Sequence, residues 1–158
     1  MDNKPIYLSK AGLRKLEVEL KRLKTQDRPQ IISEIKRARE LGDLSENAEY
    51  DAAKAEQEHL EIKIGKLEEM LSRVKIISAH DMPDDKIYIL HNVKLRDLKT
   101  KEEFVYKLVS PEESDLEQDK ISVASPMGKL LLGKKKNDEV ELNVPAGKLK
   151  YKILDIYK

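Results

Sequence analysis

Five carboxylates and no cation lie between residues 40 and 51: Glu40, Asp43, Glu46, Glu49 and Asp51. Two of them, Asp43 and Glu46, stand three apart in the short run Gly42-Asp43-Leu44-Ser45-Glu46-Asn47. A pair at that spacing has two uses. The first is structural: Asp43-Leu-Ser-Glu46 has capping-box spacing, with Asp43 starting a helix whose first-turn acids favour the positive end of the dipole. The second is chemical: the two carboxylates together bind a divalent cation. Mg2+ takes six oxygen ligands and keeps several waters, so two carboxylates suffice only where a partner supplies the rest. Two-metal phosphoryl-transfer sites use the second ion to orient a water and stabilise in-line displacement. Capping needs one acceptor and one reciprocal acid. It does not call for Glu49 and Asp51 as well, nor for a stretch without bases.

The flanking elements would carry such a turn on a hairpin. Ser9 is a candidate N-cap for a first arm. Leu13, Leu16, Leu20 and Leu23 follow at spacings of 3, 4 and 3, an a/d seam. Pro29 falls inside the pattern, with Asp27 placed to cap a second segment. The seam resumes as Ile31, Ile35 and Ala38 in a shifted phase, which predicts a kink or short break near residues 25–29. The second arm runs Tyr50, Ala53, Gln57, Leu60, Ile64, Leu67, Leu71 and Val74 in regular 3/4 alternation. At ~1.5 Å per residue it predicts an arm of roughly 40 Å. A short connection makes the arms antiparallel, and Ala38, Ala48, Ala52, Ala53 and Ala55 keep the hairpin slender near its tip.

Beyond Met82-Pro83-Asp84-Asp85 the period changes towards two. Ile87–Leu95, Phe104–Val109, Ile121–Ala124 and the alternating runs at 140–144 and 149–153 are strand candidates, the last two joined by a turn at Pro145-Ala146-Gly147. One short helix fits between them, with Ser125 as N-cap, Pro126 at its first position and Gly133 as its stop. The fold class is therefore α+β. An antiparallel coiled-coil hairpin occupies residues 1–79, with its acidic tip at 42–51, and a small domain of one sheet and one short helix occupies 80–158.

Composition suits this division. Charged and apolar residues each make up 39 % of the 158 residues, with one Phe and no Trp, as expected where a thin arm has little interior. Without cysteine, disulfides and thiolate metal sites are excluded. The N-terminus lacks the apolar run of a secretory signal, and no stretch approaches the roughly 20 apolar residues of a membrane span, so the chain reads as cytoplasmic. A net charge of +1 argues against a general nucleic-acid binder. Its distribution says more: ten Lys/Arg against four Asp/Glu from Lys10 to Arg39, then five acids and no base from Glu40 to Asp51. His59, His80 and His91 are scattered, and neither a nucleophile elbow nor a phosphate-binding glycine loop is present. The chain alone is not expected to hydrolyse anything.

The run Gly42-Asp43-Leu44-Ser45-Glu46-Asn47-Ala48-Glu49-Tyr50 resembles the tip motif of the bacterial transcript cleavage factors of the GreA/GreB family. Ala52-Ala53-Lys54 and Gln57 are similar to the GreA branch, and Ile121-Ser-Val-Ala-Ser-Pro-Met-Gly128 with Leu131-Leu-Gly-Lys134 resembles the family's second signature. The resemblance covers essentially the whole chain. It implies a factor that binds RNA polymerase, passes its coiled coil down the secondary channel and stimulates the polymerase's own endonucleolytic cleavage of backtracked nascent RNA. Asp43 and Glu46 match the pair that helps hold the second Mg2+, shared with the polymerase and not bound stably by the factor alone. Arg39 and Lys54 match basic positions that contact the extruded RNA 3′ end, although solvated helix-face charge accounts for them equally. The C-terminal domain would be FKBP-like and dock on the polymerase through a surface including Ser125 and Pro126, which helix capping also explains. Asn137-Asp138 departs from a turn that is often Gly-Asp. Lys134-Lys135-Lys136 reads as a solvated turn.

Three rival readings use the same elements. A same-fold inhibitor would occupy the channel without supporting cleavage; Asp43 and Glu46 at the matching positions argue against it. A prolyl isomerase would need an aromatic-lined pocket in the small domain. A passive dimerisation arm would leave the tip acids with capping alone. Because one chain satisfies its own seam, the expected state is a monomer.

Overall fold

The computed structural model describes residues 3–43 and 47–158. The chain divides into two compact units, one of Met1–Pro5 with Leu13–Val74 and the other of Ile6–Gly12 with Lys75–Lys158.

The first unit is the hairpin. Its first arm runs without interruption through α1 (Lys10–Arg22), a π-helical stretch (Leu23–Asp27) and α2 (Arg28–Glu40). Where a kink or short break was expected, near residues 25–29, the helix is not broken but widened by the π-helical stretch at Leu23–Asp27. Asp27 is helical (φ −69°, ψ −43°) and makes no capping bond; its carboxylate lies 3.3 Å from Arg22. The widened turn is marked by the Arg28 N–H donating five residues back to the Leu23 carbonyl. Such a turn accommodates one extra residue. That insertion moves the apolar phase on by one position, which is the offset between Leu23 and Ile31, and it opens the helix where proline cannot donate.

The returning arm, α3 (Ala48–Ser72), is 25 residues long, about 37 Å at ~1.5 Å per residue. Leu23, Leu60, Ile64 and Leu67 form the buried centre, with Leu16, Leu20, Ile31, Met70 and Leu71 packed on it. Towards the tip the contact narrows to Ile35, Ala38 and Ala53, all buried. Arg28 grips Glu61 with two parallel bonds of 2.8 and 2.9 Å. Lys63 meets Glu19 at 3.0 Å, and Lys24 pairs with Glu68. The expected seam overran the helix by one position, because Arg73 caps α3 and Val74 is already extended.

Two short strands escaped sequence reading: β1 (Ile6–Leu8) and β2 (Val74–Ile76) pair as a ribbon. Three residues each is too short for a period to register. In the second unit, Ser9 accepts from the Gly12 N–H at 3.1 Å, the N-cap expected of it. Its own hydroxyl donates to Glu113 at 2.6 Å.

The main sheet holds β3 (Asn92–Asp97), β4 (Glu103–Val109), β5 (Lys120–Ser122), β6 (Glu139–Val144) and β7 (Gly147–Tyr157), in the order β5-β4-β3-β7-β6. All neighbours are antiparallel except β4 and β5. One face is covered by α4 (Pro126–Leu131), and Val93, Leu95, Leu108, Leu131 and Ile153 are fully buried. Ser125 caps α4 by accepting from the Gly128 N–H at 3.0 Å, and Gly133 follows the helix at φ +79°. Residues 87–91 are not strand, against expectation. Ile87 is held by Lys134 and Gly133, and Leu90 adopts φ 71°, so the chain enters the sheet only at Asn92. Asn137 takes φ 72°, a left-handed conformation that asparagine adopts more readily than most residues.

Candidate functional site at the hairpin tip

The reversal begins where α2 ends. The Leu41 N–H donates to the Ala38 carbonyl at 3.2 Å, and Gly42 follows at φ +131°, a backbone state open to glycine. Asp43 comes next and is exposed. Glu46 lies outside the described residues. The second arm does not start at Asp43, as the capping-box reading had it. Its N-cap is Asn47, whose Oδ1 accepts from the Tyr50 N–H at 3.0 Å. Glu49 and Asp51 then occupy the first turn, where the helix dipole favours acids. The capping of α3 that sequence spacing offered to Asp43 is performed four residues later.

Asn47 has a second bond. Its Nδ2 donates to the carbonyl of Ala38 at 2.6 Å, across the hairpin. Below this link the Arg39 guanidinium lies 5.8 Å from the centre of the Tyr50 ring, within the range of a cation–π contact. Lys54 is exposed on α3 and its Nζ donates to Gln57 at 3.0 Å. Among the described residues no group of three or more His, Cys, Asp or Glu is arranged to hold a metal ion.

Ser125 and Pro126 sit elsewhere, on the second unit. They line an apolar groove of about 530 Å³ together with Tyr106, Leu116, Ile121, Met127, Leu142 and Tyr151. Leu116 stands 80 % exposed. The segment that carries it holds Glu112, Glu113, Asp115, Glu117 and Asp119 with no base, and the groove itself is lined by one acid and one base, Asp115 and Lys120. Sequence reading found the capping serine but not the groove, because its walls come from six separated segments.

Residues 6–76 match the family model described as transcription elongation factor, N-terminal, and residues 82–158 match that of transcription elongation factor, GreA/GreB, C-terminal. The chain belongs to the GreA/GreB family. It is similar to the transcription elongation factor GreA of Chlorobaculum parvum (strain DSM 263 / NCIMB 8327), 49 % identical over 153 residues and 96 % of each chain. The GreA of Chloroherpeton thalassium (strain ATCC 35110 / GB-78) is 51 % identical over 150 residues, 95 % of each chain. Among solved structures, GreA factor homolog 1 of Thermus thermophilus is 30 % identical, covering 98 % of this chain and 100 % of that one with a TM-score of 0.46.

Within this GreA/GreB chain, the residue that sequence reading passed over at the tip is Asn47. The signal was present: an asparagine directly before Ala48, with two acids in the following turn, is a helix-start pattern in its own right. The competing Asp43-x-x-Glu46 spacing concealed it.

Proposed function

We propose that this chain binds RNA polymerase and delivers its hairpin tip through the secondary channel to stimulate cleavage of backtracked nascent RNA. The observation that carries this reading is the placement of the tip motif: Asp43 stands exposed just past the end of the first arm, in a run that resembles the tip of a cleavage factor family, on a chain whose residues 6–76 match that family's N-terminal model. Asp43 and Glu46 are the proposed catalytic pair. Both are hard oxygen donors of the kind Mg2+ prefers, and two of them leave the remaining positions to polymerase carboxylates, RNA and water. That second ion, when shared with the polymerase, supplies charge stabilisation and an oriented water for in-line attack. The chain's own contribution is positional. A slender arm about 37 Å long carries anionic oxygens into a space that a globular surface could not enter.

Arg39 and Lys54 are proposed to attract the extruded RNA, the first with its guanidinium stacked on Tyr50. The groove beside Ser125 and Pro126 is proposed to hold the polymerase surface while the tip acts. In this reading the protein is not itself an enzyme; it activates the polymerase's transcript cleavage, as a monomer.

The test uses stalled, backtracked polymerase complexes carrying 5′-labelled RNA, with wild-type protein or the Asp43→Ala/Glu46→Ala variant in Mg2+. Rapid 3′ shortening with wild type alone, while the variant still binds, is the expected result. Tight binding by wild type without shortening would sink the proposal and favour a channel-blocking inhibitor.

A further inference from the structure

A helical hairpin creates two kinds of unsatisfied backbone group at the end where it reverses. The last carbonyls of the first helix lack donors, and the first N–H groups of the second lack acceptors. Here one side chain reaches both ends, and the Ala38 carbonyl, which already accepts from the Leu41 N–H at 3.2 Å, takes a second donor from it. Asn47 Oδ1 accepts from the Tyr50 N–H at 3.0 Å, and Asn47 Nδ2 donates to the Ala38 carbonyl at 2.6 Å. The amide orientation is dictated by its partners, a donor on one side and an acceptor on the other. Ala38 is buried and Asn47 half-buried, so the link runs through the inside of the hairpin and closes the base of the turn that carries Asp43.

Capping alone does not select asparagine. Aspartate and serine cap about as well, and aspartate would add a favourable charge at the helix start. Neither can donate from the position where Nδ2 stands: aspartate carries only acceptors there, and serine has no second polar atom. Glutamine carries both functions on a longer stem. Asparagine alone joins an N-cap acceptor to a cross-hairpin donor at this reach.

We infer that Asn47 is a positioning residue for the tip: its amide ties the end of α2 to the start of α3 and so fixes where Asp43 is presented. The inference rests on the cleavage-factor reading and deepens it. Misplacement of a catalytic group by about 1 Å can cost on the order of a hundredfold in rate, so a brace at the base of the turn has ample leverage.

The test compares full-length Asn47→Asp and Asn47→Ser with wild type. Both substitutions keep an N-cap acceptor and lose the donor to Ala38, and only the first adds charge. Amide exchange at Tyr50 reports whether the cap survives. RNA cleavage in backtracked complexes is measured as the maximal rate at saturating factor and as the half-saturating factor concentration. The expected result is retained protection at Tyr50, an unchanged half-saturating concentration, and a maximal rate lowered about tenfold or more in both variants. Wild-type maximal rates in the two variants would overturn the inference, as would losses confined to half-saturation. If wild type itself gives no cleavage, the cleavage-factor reading fails first, and the inference with it.

Discussion

Asn47 performs the capping of the returning arm that a capping-box reading assigns to Asp43. The difference matters for interpreting any tip substitution. Replacing a helix N-cap with alanine costs about 0.5–2 kcal/mol, so Asn47→Ala should lower the melting temperature of the protein, which thermal melting checks directly. Asp43→Ala should abolish cleavage while the protein still binds polymerase. A second residue-scale prediction concerns His91, which is buried, with Nδ1 accepting from the Tyr88 N–H at 3.2 Å. Burial, then the nearby Lys158 charge, holds its imidazole below the ordinary value of 6.5, against the opposing pull of Asp84. A depressed native value means the unfolded chain takes up the proton first. The stability from neutral His91 is thus complete above pH 6.5 and is lost as pH falls through the native value. Melting temperatures between pH 7.5 and 5 should fall in wild type, and His91→Gln should flatten that part of the profile.

At the scale of elements, the π-helical turn and the short helix α4 show how single residues set packing. One inserted position between Leu23 and Ile31 keeps both on the inner face of a continuous arm. Below it, Leu60 and Ile64 form the middle of the seam. Leu60→Ala should destabilise the hairpin by about 2–5 kcal/mol, read by denaturant unfolding followed at a helical circular dichroism band. In α4, a β-carbon at Gly128 would run into the Ser122 carbonyl and the Val123 backbone. These are backbone neighbours that cannot swing aside. Gly128→Ala should cost about 1–3 kcal/mol through overpacking, shift Ser125 and Pro126 with the helix they begin, and appear as a lower unfolding midpoint.

For the molecule as a whole, the proposed function separates holding from acting. The apolar groove belongs to one unit and the tip to the other. Leu116 is 80 % exposed, so Leu116→Glu should fold normally. It is expected to raise the half-saturating concentration for cleavage severalfold while leaving the maximal rate intact. Asp43→Ala should do the reverse. Titrations of factor against a fixed amount of backtracked complex distinguish the two, and equal effects on both parameters would argue against the division.

Much of this architecture was legible in the chain because its signals are local and periodic. The 3/4 alternation of apolar residues determined two antiparallel arms. The change of period after residue 85 determined a sheet, and Ser125-Pro126 with Gly133 determined the bounds of a short helix. Motif spacing alone brought Asp43 and Glu46 forward as a pair. Other features needed the folded chain. Whether Pro29 breaks the arm depends on whether a widened turn can absorb it, which the packing of Leu23 and Ile31 against α3 decides. The ribbon of β1 and β2 and the groove beside Pro126 join segments far apart in sequence, and no local pattern encodes their meeting. The choice between Asp43 and Asn47 as the cap also fell to tertiary structure. Both residues satisfy the local rule; the one that caps α3, Asn47, also donates across the hairpin to the Ala38 carbonyl, which comes within its reach only once the two arms have come together.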